Sequence, residues 1–281
     1  MTTPNQKTID RLIDGALEED LGIGDLTSAA TLGNEAQLHL VMETREDIIV
    51  AGLHIAGQVF KRLAPDVYIQ CLSEDGARVK SGGRLMTLEG LAQPLLSAER
   101  TALNIVQILS GIATETGRFV DAIAGSGAIL LDTRKTIPGL RVLSKYATSM
   151  GGATNHRMRL DDGVLIKDNH IAVCGGLTAA IQRAKSQVPT LTKVQVECDN
   201  LDQVKEALKA GAESLLLDNM SPDTMRQAVE LVQGQITLEA SGGITLDTVR
   251  AKAESGVDLI STGKITQSAP SVDIGLDDVE T

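Results

Sequence analysis

The chain has 281 residues, a formal net charge of −11, 42% hydrophobic residues, no Trp, two Tyr and two Phe. That acidity argues against a general nucleic-acid or anionic-membrane partner, and the lack of aromatic faces argues against a base-stacking platform. Three scattered cysteines, Cys71, Cys174 and Cys198, fit a reducing cytoplasm better than a disulfide framework, while the polar start MTTPNQKTIDRL has no apolar signal core and the longest apolar-rich stretch, residues 48–60, is too interrupted to span a bilayer.

In chain order, a helix is expected over residues 9–19, then a turn-rich segment over 22–27 and a weakly alternating strand over 36–43. Residues 53–63 read as a helix. Residues 67–72 and 84–88 read as strands, separated by the turns Glu74-Asp75-Gly76 and Ser81-Gly82-Gly83. A long helix over 97–124 carries Ala102, Ile105, Val106, Leu109 and Ile112 on one side. These elements make a smaller α+β domain, residues 1–110.

From residue 128 the pattern becomes regular. Short apolar strands are predicted at 129–132, 163–167, 194–197, 214–218, 236–239 and 257–261. Helices fall between most of them: 138–149, 177–187, 201–210 after the N-cap Asn200, one opened by Ser221-Pro222, and one from Thr245 that stops at Gly256. Continuously apolar strands alternating with helices predict a parallel sheet covered by helices. Short strands favour a closed or nearly closed barrel, and about six units rather than eight predict an irregular or incomplete one.

The polar residues that end these strands carry the functional signal. They are Asp132-Thr133-Arg134-Lys135, Lys167-Asp168-Asn169-His170, Glu197 with Asp199-Asn200, Asp218-Asn219, Glu239 with Ser241-Gly242-Gly243, and Ser261-Thr262-Gly263-Lys264. In a parallel barrel such endings gather at the C-terminal face, where barrel active sites lie.

Between Asp132 and His170 there are seven Lys/Arg against four Asp, plus two of the four histidines, in a chain that is otherwise acidic. Arg134, Lys135, His156, Arg157 and Lys167 can therefore line a pocket for a small anion. Guanidinium forks match carboxylates bidentately, at roughly 1.5–3 kcal/mol for each charge-assisted bond, so several together suit a dicarboxylate. Arg141, Lys145 and Arg159 have no strand-end placement and read as ordinary surface charge. Glu197 and Asp218 end consecutive strands and suit Mg²⁺ or sugar hydroxyls; a salt bridge to a strand-end lysine is the competing reading. Ser241-Gly242-Gly243 and Thr262-Gly263-Lys264 follow the last two strands, where barrel phosphate sites are commonly built. The set suits transfer between a phosphorylated sugar and an acidic acceptor.

These residues resemble those of the quinolinate phosphoribosyltransferase (nicotinate-nucleotide pyrophosphorylase) family. The resemblance is carried by Glu99-Arg100-Thr101-Ala102-Leu103-Asn104, Leu109-Ser110-Gly111-Ile112-Ala113-Thr114, LDTRKTIPGL from Leu131, Asn155-His156-Arg157 and LIKDNHI from Leu165. Glu197, Leu217-Asp218-Asn219 and Asp273-Ile274-Gly275-Leu276-Asp277 also fit, so it covers residues 17–277.

The resemblance implies an α/β fold: an N-terminal α/β sandwich domain, to which the tail 268–281 returns, and an irregular, open seven-stranded α/β barrel over 111–267. It implies a decarboxylating pentosyltransfer from phosphoribosyl pyrophosphate to quinolinate with Mg²⁺, in NAD biosynthesis. Arg134, His156, Arg157 and Lys167 would hold the quinolinate carboxylates, and Lys135, with Thr133 beside it, would lie near the pyrophosphate. Glu197 and Asp218 would contact ribose and metal. Ser241, Gly242, Gly243, Thr262, Gly263 and Lys264 would hold the 5′-phosphate, and Arg100 would enter from a neighbouring subunit of a dimer or larger homo-oligomer. Lys135, Lys167, Glu197 and Asp218 form the expected catalytic set.

Three departures stand out. Lys264-Ile265-Thr266-Gln267 replaces a common Ala-Leu-Thr-His, Gly151-Gly152-Ala153 replaces three glycines, and Gln195 replaces an acid. Two rival readings remain on the residues alone. One is a Schiff-base barrel enzyme using Lys167. The other is a binding or regulatory protein that keeps the anion pocket, like the family's relative associated with molybdate-transport operons.

Overall fold

A computed structural model describes residues 4–279, which divide into two compact units. The first comprises Met1–Gly117, Val142–Gly152 and Ala269–Thr281; the second comprises Arg118–Arg141 and Ala153–Ser268.

The chain opens with α1 (Gln6–Leu21), whose N-cap Asn5 accepts from the Thr8 N–H at 3.0 Å. The expected turn at 22–27 gives way at its end to a second short helix, α2 (Leu26–Thr31), because the Asp25 side chain accepts from the Ser28 N–H and caps it. Then follow β1 (Gln37–Thr44), β2 (Ile48–Ile49), α3 (Leu53–Leu63), β3 (Tyr68–Cys71), β4 (Arg78–Val79), β5 (Arg84–Leu91) and α4 (Ala92–Ala122). The helix α4 begins five residues before the expected start at 97, since Pro94 is tolerated in a first turn. Ile55, Ala56, Val59 and Phe60 of α3 are fully buried. The larger of these side chains contribute about 1.5–3 kcal/mol each by leaving water.

The second unit carries β6 (Ile129–Leu131), β7 (Val164–Ile166), α6 (Asp168–Cys174), α7 (Leu177–Gln187), β8 (Val194–Cys198), α8 (Leu201–Lys209), β9 (Ser214–Asp218), α9 (Pro222–Val232), β10 (Thr237–Ser241), α10 (Leu246–Ala253), β11 (Leu259–Ser261) and α11 (Lys264–Gln267). Helix α5 (Arg141–Met150) follows β6 in the chain and falls almost wholly in the first unit, to which β12 (Ile274–Asp278) also belongs.

In the first unit an antiparallel sheet has the order β12-β1-β5-β3, with Leu40 opposite Asp278 and Leu40 opposite Leu88. The returning segment lies close to α4: a Cβ on Gly111 would collide with the Pro270 carbonyl. In the second unit a parallel sheet has the order β6-β11-β10-β9-β8-β7. Its strands are those expected from residue 129 onward, within a few residues at each end. The sheet has six strands rather than the seven that the resemblance implies, and beyond β6 there is a single isolated parallel bridge from Leu131 to Thr154. Leu215, Leu217, Val196, Ala240 and Ile260 from the strands pack with Val204, Ala207, Ala228 and Val249 from the helices in one buried cluster. No helix among the described residues is long and apolar enough to cross a membrane.

Candidate active site

The strand ends of the second unit surround a cavity of about 350 Å³, the size of a small-metabolite site. Thr133, Arg134 and Lys135 line it after β6, Lys167 after β7, Glu197 and Asp218 on β8 and β9, and Ser241 with Gly242 at the end of β10. His156 and Arg157 reach the same cavity from the loop beyond Thr154.

Each cation is placed by local chemistry. Asp132, fully buried, accepts from the Asn155 side-chain amide at 2.7 Å and from the His156 backbone N–H at 2.9 Å, which ties that loop to the end of β6. Arg157 donates to the Gly163 carbonyl at 2.7 Å. Burial pulls its guanidinium below the usual arginine value, the neighbouring Arg134 pulls it further, and Asp162 opposes both. Two guanidinium groups close enough to repel each other favour an anion between them. The Nε of Arg134 is buried and has no hydrogen-bond partner among the described residues. A buried donor without an acceptor is costly, and a bound carboxylate would relieve it.

Lys135 is positioned from β11 and α11. Its backbone N–H donates to Thr133 Oγ1 at 3.0 Å, and its carbonyl accepts from Thr266 Oγ1 at 2.7 Å. A Cβ on Gly263 would sit 3.0 Å from the Lys135 Cδ, so the bare glycine gives that side chain its path.

Lys167 pairs with Glu197, which is the salt bridge foreseen as the competing reading of that acid. On β9, Asp218 accepts from the Asn219 side-chain amide at 2.7 Å, with Asn219 itself left-handed at φ 53°. Two carboxylates in one cavity with an anion-binding wall suit Mg²⁺, which needs one or two protein oxygens and completes its shell with water and substrate phosphates. Among the described residues no group of three or more His, Cys, Asp or Glu forms an all-protein cage.

Four of the expected phosphate residues do not line the cavity: Gly243, Thr262, Gly263 and Lys264. The Thr262 hydroxyl is committed to the Ile244 carbonyl and the Lys264 N–H, each at 3.2 Å. Lys264 is exposed on α11. Arg100 is exposed on α4 in the first unit.

Glu239 was legible only as part of a strand ending, yet it lines the cavity with a side chain 1% exposed. Its Oε2 accepts from Gln195 Nε2 at 2.8 Å and lies 3.4 Å from His156 Nε2. Burial alone would raise its carboxyl value; the bonds from His156, Ser261 and Gln195 outweigh burial and lower it. The signal in the sequence was an acid inside an apolar strand, Ile236-Thr237-Leu238-Glu239-Ala240.

Comparison with known proteins gives the same direction. The family profile described as quinolinate phosphoribosyl transferase, C-terminal domain, matches residues 112–277, and the N-terminal domain profile matches 25–110. The probable nicotinate-nucleotide pyrophosphorylase (carboxylating) of Synechocystis is 42% identical over 272 residues, 95% of this chain and 92% of that protein. The nicotinate-nucleotide pyrophosphorylase (carboxylating) of Mycobacterium leprae is 41% identical over 93% of this chain and 94% of its own. A solved structure of the nicotinate-nucleotide pyrophosphorylase from Francisella tularensis superposes with a TM-score of 0.95 at 38% identity, covering 99% of this chain and 98% of that one. With both domain profiles matched in order and the fold shared along the chain, this protein belongs to the quinolinate phosphoribosyltransferase family.

Proposed function

We propose that this protein transfers the phosphoribosyl group of phosphoribosyl pyrophosphate to quinolinate, releasing pyrophosphate and CO₂ and forming nicotinate mononucleotide for NAD biosynthesis. The observation that carries the reading is the buried, unpartnered Nε of Arg134 beside Arg157, in a cavity that also holds the carboxylates of Glu197 and Asp218. A dicarboxylate acceptor fits the first pair and a hydroxylated sugar fits the second.

In this reading Arg134, Arg157 and Lys167 hold the acceptor carboxylates and turn the ring nitrogen toward C1 of the sugar, while His156, set between Glu239 and the Arg157 N–H, steadies Arg157. As pyrophosphate departs, negative charge grows on its oxygens, and Lys135 stands to receive it. Glu197 and Asp218 hold ribose hydroxyls and would hold Mg²⁺, which supplies charge neutralisation for the phosphates. The new positive charge on the ring then draws electrons from the adjacent C–CO₂⁻ bond; CO₂ leaves and the ring carbon takes a proton. No covalent enzyme intermediate is needed, so the protein's work is to position reactants and exclude water.

Ser241 and Gly242 contact the 5′-phosphate, and the turn Thr262-Gly263-Lys264 supports that wall. Arg100 enters from a neighbouring subunit, making the working unit a homodimer or larger. A cytoplasmic setting suits the three free cysteines. The Schiff-base alternative is disfavoured because Lys167 is ion-paired with Glu197 at a half-exposed position, away from the apolar surroundings such a lysine needs.

The test is direct. Purified protein is mixed with quinolinate, phosphoribosyl pyrophosphate and Mg²⁺, with nicotinate as the control acceptor, and nicotinate mononucleotide is followed by chromatography. Product from quinolinate alone supports the reading. Product from nicotinate, or none from folded protein, overturns it.

A further inference from the structure

The turn after β10 has a support that lies outside the cavity. Lys252, near the end of α10, is only 8% exposed, unusual for a lysine. Its side chain lies back along the helix and Nζ donates to the Gly242 carbonyl at 2.9 Å. We propose that Lys252 is a positioning residue for the phosphate subsite, which holds the Gly242 carbonyl and thereby sets the turn whose Ser241 and Gly242 face the incoming 5′-phosphate; the inference rests on the phosphoribosyl reading above.

In a trans peptide the carbonyl of residue 242 and the N–H of residue 243 point in opposite directions. A carbonyl drawn back toward α10 therefore turns the next N–H away from that helix. Both glycines are left-handed, Gly242 at φ 81° and Gly243 at φ 60°, a backbone that side chains oppose. A Cβ on Gly242 would lie 2.6 Å from the Asn219 Cγ, so only glycine fits there, and the Asn219 N–H donates to the preceding Ser241 carbonyl at 3.1 Å. Two successive carbonyls of the turn, those of Ser241 and Gly242, are thus held by Asn219 and Lys252.

Electrostatics favour the same role. A buried ammonium with a carbonyl as its partner costs free energy, and burial pulls Lys252 below the ordinary lysine value while Asp218 opposes that. A phosphate dianion on the far side of the turn would offset the cost.

The test is Lys252→Met in the full-length protein, which keeps the length and apolar stem of the side chain but removes the donor and the charge. The KM for phosphoribosyl pyrophosphate is expected to rise about tenfold, the loss of one charge-assisted bond, with kcat and the quinolinate KM within about twofold of native. In parallel, the Gly242 amide resonance is followed while ribose 5-phosphate is added. It is expected to shift on saturation in the native protein and to need about tenfold more ligand in the variant. An unchanged KM for phosphoribosyl pyrophosphate, or equal increases for both substrates, overturns the proposal, as does a native Gly242 amide that ignores ribose 5-phosphate. Ribose 5-phosphate binding without turnover would instead strike the transfer reaction and leave the role of Lys252 standing.

Discussion

The Glu239 carboxylate lies 3.4 Å from His156 Nε2, on a side chain that water scarcely reaches. The other ring nitrogen of His156 accepts from the Arg157 backbone N–H at 2.7 Å, so the ring proton sits on Nε2 and faces the acid. Gln195 donates to the same Glu239 oxygen at 2.8 Å. An acid at 195 would have had to share a proton with Glu239; an amide lets Glu239 keep its full charge.

Glu239→Gln keeps the shape and removes that charge. The quinolinate KM is expected to rise about tenfold as the His156 ring loses its anchor, while the phosphoribosyl pyrophosphate KM stays near native. The pH dependence has a definite sign. A folded-state carboxyl value below the unfolded one contributes stability that is present above the unfolded value, about 4.3, and is lost as pH falls through the lower folded value. The gap in thermal midpoint between native protein and Glu239→Gln should therefore close on acidification. A gap constant from pH 7 to pH 3 would refute the buried-anion account.

Arg134→Ala removes a guanidinium whose Nε has no partner among the described residues. The fold should survive, because no internal hydrogen bond is lost at that atom, and the like-charge strain on Arg157 is relieved. Quinolinate binding should weaken by about 2–4 kcal/mol, roughly 30-fold to 1,000-fold. Arg134→Lys should recover only part of this, since an ammonium lacks the planar fork. Steady-state kinetics with each substrate varied in turn decide it; an unchanged quinolinate KM and rate would remove Arg134 from the site.

The parallel sheet was legible because its strands are uninterrupted apolar runs ending in charged or Gly-rich residues, a pattern with one economical fold. The short helix α6 was not, because Lys167-Asp168-Asn169-His170 reads as a strand ending. What makes it a helix is local: the His170 ring accepts from the Lys167 N–H at 3.0 Å. The cations of the cavity could be named from strand-end position, whereas Glu239 could not be singled out. Its role depends on side chains 44 and 83 residues away in the chain, Gln195 and His156, and such pairings leave no local spacing to read. The same holds for Lys252, which looks like any solvated helix lysine until its carbonyl partner is seen.

Asp75 in the first unit gathers donors that its sequence neighbours do not announce. Its carboxylate accepts from the Gly52 and Leu53 N–H groups at 2.9 and 3.0 Å, from the His54 Nδ1–H at 3.0 Å and from the Tyr146 hydroxyl at 2.6 Å. It thereby caps α3, whose own N-cap Gly52 has no side chain. Burial raises its carboxyl value, and the bonds from His54, Tyr146, Gly52 and Leu53 more than reverse that. Asp75→Ala is expected to destabilise the protein by about 2–3 kcal/mol at neutral pH through the orphaned donors. Because the folded value is depressed, this difference should shrink as pH falls through it. Thermal unfolding of both proteins at pH 7 and pH 3 measures it, and an equal deficit at both would show that packing rather than charge is responsible.

The placement of Arg100 across a subunit interface can be tested by complementation. Arg100→Ala and Lys167→Ala each disable every site in their own homodimers if both residues are required. When the two inactive proteins are unfolded together and refolded, random pairing makes half the dimers mixed. In a mixed dimer one site collects both lesions and the other collects neither, so roughly a quarter of native activity should return. The refolded mixture is assayed for nicotinate mononucleotide against each variant refolded alone. If Arg100 served the site of its own chain, every site in the mixture would carry one lesion and no activity would return.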